Sequence, residues 1–332
     1  MRRTRLVLHA YMSPLALIWG VVVLGTCIGV VESSASSPIF IRAWGTTGSG
    51  PGQFREVRGI ASDASAALYV CDEQNNRIQK FDTAGTFVQQ WGTSGTSPGQ
   101  FVAAPDVAVD PSGNVFVLDQ TSHRVEKFTS SGNFLLEWNG VPNGSFAMPR
   151  AIATDASGSV YVGDGSPRVV VCNGTGGFIR QWGNIGTADG EFQGVTSIAI
   201  GPDGTVYVLD AGIERVQAFT PDGAFITKWG TSGSGEGQFS SPQGIAVGAN
   251  GTVYVADTEN DRIQEFTPQG VFVRQWGVSG TAPGQLDSPI DIAIIGEKFY
   301  VTDFFSRVQE FAEPSVPVLG TSWGKLKASY RD

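Results

Sequence analysis

Six aspartates and six arginines recur at fixed spacing, and together they could do chemistry. The aspartates are Asp72, Asp119, Asp164, Asp210, Asp257 and Asp303; the arginines are Arg77, Arg124, Arg168, Arg215, Arg262 and Arg307. Six carboxylates in equivalent places resemble a metal or acid–base ring. Each, however, has an arginine four or five residues on, across its own loop, and charge pairing accounts for both sets. His123 has no Ser or Cys nucleophile near it in sequence and reads as an exposed loop residue. Cys71 and Cys172 fall in non-adjacent units and read as two buried free thiols, because a disulfide needs Cα atoms within about 7 Å.

The elements that must carry these residues repeat six times. The fifth unit shows the pattern. Gly244-Ile245-Ala246-Val247 is a short apolar run, and Asn250-Gly251 is a hairpin signal. Val253-Tyr254-Val255-Ala256 is a β-branched and aromatic strand. Ile263 to Phe266 and Val271 to Trp276 are two more, and a Gly-rich connector leads on. An alanine recurs in each first strand (Ala61, Ala108, Ala153, Ala199, Ala246, Ala293). Seven Trp-Gly pairs, at Trp44, Trp91, Trp138, Trp182, Trp229, Trp276 and Trp323, fence the units.

Four strands joined by short turns form an antiparallel meander with two faces to cover. Six meanders set radially cover each other, which predicts an all-β, six-bladed β-propeller of four-stranded antiparallel blades. The repeated alanine fits the crowded axis and the tryptophan fits the splayed rim. The sixth unit lacks a good fourth strand, since Pro314 and Pro317 interrupt it. Ile39 to Trp44 is a fourth strand with no unit before it, so the N-terminal strand is expected to close the ring. Closure by Val316 to Trp323 is the alternative.

Composition agrees. Charged residues are 16% and Gly numbers 44, which suits a turn-rich β protein rather than a helical or disordered one. The formal charge is −9 without a basic stripe, so no nucleic-acid partner is expected. Residues 1–35 differ: Arg2, Arg3 and Arg5 precede an apolar run from Leu15 to Val31. They read as a secretory signal peptide or an N-terminal membrane anchor. Either places the repeats outside the cytoplasm, and an anchor is the only membrane contact expected. The domain organisation is then 1–35 export segment, 38–323 propeller and 324–332 C-terminal tail, with a monomer expected.

Gly244-Ile245-Ala246-Val247, Val253-Tyr254-Val255-Ala256-Asp257, Asn260 and Arg262-Ile263-Gln264-Glu265-Phe266 resemble the NHL repeat, and the pattern recurs from Phe54 to Phe311. The resemblance implies a six-bladed propeller and leaves function open. Some NHL proteins join RNA-binding propellers to zinc modules in ubiquitin ligases; this chain has no Cys/His-rich zinc module. The related peptide-amidating lyase holds zinc through histidines, and here only His9 and His123 exist. Related lactonases hold calcium through axial Asp, Asn and Glu, so calcium is the one cofactor left open.

Strand alternation puts the loops between second and third strands on the same face as the connectors, with the mouth of the axial channel. The ring there reads Arg58, Pro105, Arg150, Thr196, Gln243, Ile290, then Gly59, Asp106, Ala151, Ser197, Gly244, Asp291. Arg58, Asp106, Arg150, Thr196, Gln243 and Asp291 form the candidate ligand site. Two guanidinium groups near one axis imply an anion between them or screening by the aspartates. The expected function is a non-catalytic binding or scaffolding module for a protein or a small anionic ligand. The alternative is a metal-dependent hydrolase or lyase on the same fold.

Overall fold

A computed structural model describes residues 36–141 and 144–314. The export segment 1–35, Trp323, the alternative closing strand and the tail lie outside them. Among the described residues no helix is long and apolar enough to cross a membrane.

Six four-stranded antiparallel sheets follow one another round an axis. Blade 1 is Val57–Ser62, Leu68–Asp72, Arg77–Phe81 and Phe87–Trp91, and blade 2 is Asp106–Val109, Val115–Asp119, Arg124–Phe128 and Phe134–Trp138. Blade 3 is Ala151–Thr154, Val160–Asp164, Arg168–Cys172 and Phe178–Trp182. Blade 4 is Val195–Ile200, Val206–Asp210, Arg215–Phe219 and Phe225–Trp229. Blade 5 is Gly244–Val247, Val253–Asp257, Arg262–Phe266 and Phe272–Trp276. Blade 6 takes Pro289–Ile295, Lys298–Asp303 and Arg307–Ala312 from the chain's end and Ile39–Trp44 from its start. Trp44 sits opposite Val308 and Phe40 opposite Phe311, so the N-terminal strand closes the ring.

The core is six apolar layers, each between two neighbouring blades. Every second strand is therefore buried on both faces, which is why Val115–Asp119 or Val253–Asp257 reads as a continuous apolar run. The tryptophans seat across the seams. A Cβ on Gly85, in the turn before the fourth strand of blade 1, would lie 2.6 Å from the Trp44 ring of blade 6. Gly132, Gly176, Gly223 and Gly270 meet Trp91, Trp138, Trp182 and Trp229 in the same way. Five of the six blade tryptophans are thus roofed by a glycine turn of the next blade; Trp276 is not, since the fourth strand of blade 6 comes from the chain's start.

Blade 3 departs from the pattern. The segment before it contains a two-residue ladder, Gly140–Val141 against Gly144–Ser145, in place of the usual Gly-rich connector. His123 is half-buried rather than exposed, because the Met148 amide of that segment donates to its Nδ1 at 3.1 Å. Cys71 and Cys172 are buried free thiols.

Candidate functional site

The first strands start at one end of the axis, and their first residues ring a cavity of about 160 Å³. All six predicted residues line it: Arg58, Asp106, Arg150, Thr196, Gln243 and Asp291. Glu73 and Gln120 join them from the loops between second and third strands of blades 1 and 2. Neither was among the expected site residues. The signal was available, since each directly follows the repeated aspartate and so sits over the start of the first strand.

The ring alternates. Asp106 Oδ2 accepts from the Ile152 amide of blade 3 at 2.8 Å, and Asp291 Oδ2 from the Ile60 amide of blade 1 at 2.9 Å. Ser197 Oγ accepts from Ile245 of blade 5 at 3.3 Å. Blades 2, 4 and 6 thus each supply an acceptor to the next odd blade. The odd blades keep small residues at the same position, Gly59, Ala151 and Gly244. A Cβ on Gly59 would lie 2.5 Å from Asp106 Oδ1, and one on Gly244 2.5 Å from the Ile290 carbonyl. Part of the variation round the mouth is therefore architectural: the carboxylates bridge blades.

The charges divide into paired and unpaired. Arg58 turns sideways, its Nε 2.8 Å from Glu73 and its Nη2 on Glu56. Glu56 reaches it through a left-handed backbone at φ 57°. Its guanidinium is neutralised by these glutamates, without the aspartates or a ligand. Arg150 is exposed, and its guanidinium meets no acceptor among the described residues. Asp106 and Asp291 meet no cation there either; their partners are backbone amides. Burial raises the Asp291 carboxyl to about 7. It raises Asp106 well above the carboxylate range, with the Asp291 charge adding to the effect. The buried Cys71 thiol, held far up by burial, faces the same carboxylates.

The repeated Asp and Arg are elsewhere, in the blade interior. Asp72 Oδ1 accepts from the Arg55 amide of the connector at 2.7 Å, and Asp72 Oδ2 from Arg77 Nε at 2.7 Å. Arg77 in turn donates to the connector carbonyls of Ser49, Gly50 and Gln53. Gln79 completes the lock, accepting from Gly52 N and donating to Gln53 O and Asp72. Arg262, with Asp257 and Gln264, repeats this in blade 5. Blade 3, without that connector, leaves Arg168 only Asp164 and Gln181 among the described residues. Blade 2 has Glu126 in place of the glutamine. Its Oε2 accepts from Gly99 N at 2.6 Å, and burial pushes its carboxyl up to about 7.

Comparison with known proteins matches an NHL-repeat model to residues 239–266, the heart of blade 5. The chain is a six-bladed propeller that carries an NHL repeat. No curated protein matches it. Among solved structures it resembles virginiamycin B lyase from Staphylococcus aureus, 14% identical, TM-score 0.57, over 77% of this chain and 94% of that one. It resembles a gluconolactonase from Xanthomonas campestris, 14% identical, TM-score 0.61, over 84% and 98%. It also resembles a protein of unknown function from Bacteroides thetaiotaomicron, 16% identical, TM-score 0.62, over 82% and 76%. At these identities the likeness is one of fold.

Calcium does not fit the axial cavity. The ion takes six to eight oxygens, whereas only three carboxylates line the cavity among the described residues, and Glu73 of these is bound to Arg58. Among the described residues no three His, Cys, Asp or Glu side chains gather at a metal-sized gap. On the same face, Phe304 and Phe305 are 69% and 52% exposed, in the loop of blade 6 where blades 1, 2 and 5 carry polar residues.

Proposed function

We propose that this NHL propeller is a non-catalytic, extracytoplasmic binding module whose axial cavity receives a small group bearing a carboxylate or phosphate. The observation that carries the reading is Arg150: a guanidinium without a partner among the described residues, at the rim of a half-open polar cavity whose other arginine is neutralised. A planar fork of donors suits a bidentate anion. Thr196, Gln120 and Gln243 supply neutral hydrogen-bonding groups around it. The location rests on Arg2, Arg3, Arg5 and the apolar run to Val31.

Calorimetric titration of the full chain with a set of small carboxylates and with inorganic phosphate tests the reading. Arg150→Ala should weaken the tightest of them by about tenfold or more, the worth of a charge-assisted hydrogen bond. Its melting curve should barely move, since the side chain is at a rim. Unchanged affinity would move recognition off the axis. Protease added to intact cells tests the location; full protection in the cytoplasm would end it.

A further inference from the structure

The cavity holds two unmatched groups of opposite kind. Among the described residues Arg150 meets no anion, and the Asp106–Asp291 pair meets no cation. They do not cancel each other, although Arg150 lies only two residues from Ile152, the amide that holds Asp106. The reason is mechanical. Asp106 is pinned between the amides of Val107 and Ile152, and Asp291 is drawn toward Ile60 in the neighbouring blade. Swinging either carboxylate toward the rim would break a bond between blades. Gly59 and Gly244, whose added Cβ atoms would strike the aspartates' strands, keep room for them where they are.

We propose that the axial cavity takes a small zwitterion of the α-amino acid class, its ammonium seated on Asp106 and Asp291 and its carboxylate on Arg150. The inference rests on the reading that Arg150 anchors an anion, and it names what the other end of the guest must be. An ammonium brings three donors and no acceptor. Each aspartate uses lone pairs on backbone amides and keeps others for the channel; burial favours protons on the pair, and an ammonium seated beside it would drive them off and meet acceptors only. The donor set that would answer it is absent from the described protein: Arg58 is committed to Glu56 and Glu73. Thr196 and Gln243, whose side-chain hydrogen bonds are long (3.3–3.5 Å), offer weakly engaged groups between the two ends. The volume is enough for a small guest. About 160 Å³ is far more than one water needs. A guest of alanine or serine size fits there, and the open mouth leaves a bulkier side chain projecting into solvent. The carboxylates are held in place before the guest arrives, which removes an ordering cost from binding.

The test is calorimetry on the full chain with four probes: L-alanine, propionate, ethylamine and inorganic phosphate. Propionate is alanine without the ammonium, and ethylamine is alanine without the carboxylate. L-Alanine is expected to bind, with propionate and ethylamine each weaker by about tenfold or more. Asp291→Asn should weaken alanine and leave propionate unchanged. Arg150→Gln should weaken alanine and propionate and leave ethylamine unchanged. Melting curves establish that the variants fold, and the four probes on the unaltered chain decide the matter if one does not. Propionate or phosphate binding as tightly as alanine, and lost in Arg150→Gln, would overturn the zwitterion and keep the anion site. Ethylamine binding as tightly as alanine would overturn the role of Arg150 and with it both readings. So would the failure of all four probes to bind.

Discussion

Glu126→Gln should stabilise the protein, and by an amount set by pH. In blades 1, 4, 5 and 6 the equivalent residue is Gln79, Gln217, Gln264 or Gln309, whose amide donates to a connector carbonyl. Glu126 has no such proton when ionised. Its Oε1 is 2.8 Å from Arg124 Nη2, and Arg124 Nε, which in blades 1 and 5 grips the aspartate, has no hydrogen-bond partner. The ionised residue thus sits fully buried, with the arginine drawn off Asp119 to 3.5 Å.

The carboxyl titrates near 7 in the folded protein, against an ordinary 4.5. Between those values the folded state holds more protons than the unfolded one, so stability falls as pH rises. The penalty is absent below about pH 4.5 and complete above about pH 7, at about 3 kcal/mol for the ionised residue. In thermal melting that is about 5 °C for a domain of this size. Melting curves of both proteins from pH 4.5 to 8 are the assay. The glutamine form should gain progressively with pH and level off above 7. A difference that is constant across the range, or a variant melting lower at pH 8, would refute the argument.

Asp257→Ala should lower the melting temperature, by the equivalent of about 3–5 kcal/mol for a broken buried pair, and leave binding at the axis unchanged; an unaltered melting curve with lost binding would reverse the roles. The Asp106–Asp291 pair should make the folded domain lose stability as pH rises from about 4 toward 7, since the folded carboxyls hold their protons longer; Asp291→Asn should flatten that fall in melting temperature. Gly85→Ala should cost clearly more than Gly113→Ala on thermal melting. Both have positive φ (79° and 81°), but only Gly85 has a ring 2.6 Å from the new Cβ while Gly113 has nothing within 4 Å.

Residues that do one job six times are easy to read. The axial alanines, the rim tryptophans and the interior Asp–Arg pairs each recur because every blade has the same neighbour on each side. The ring at the mouth was found by the same bookkeeping, and its six residues do line one cavity. What each does there was not legible, because it depends on a neighbouring blade. Asp106 and Asp291 read as free carboxylates from their positions, yet each holds an amide of the next blade. Arg58 and Arg150 read as equals, yet only Arg58 has Glu56 and Glu73 within reach. The roofing of Trp44 by Gly85 was equally hidden, since the two lie in different blades. Glu126 stands out among the glutamines in the sequence, but spacing alone does not say that the position is buried against connector carbonyls.

The pairing of Trp44 with Val308 makes this ring finish where it started. The first strand synthesised must wait for the last before it has a ladder. Joining ends about 260 residues apart carries a chain-entropy cost of about 5 kcal/mol, recovered only when the clasp shuts. Until then the nascent chain carries two open sheet edges, one at each end of an otherwise stacked row of blades. Such edges pair with whatever strand is offered. A second unfinished copy offers the matching strand itself, so two chains released too early have a ready route to exchange their first strands.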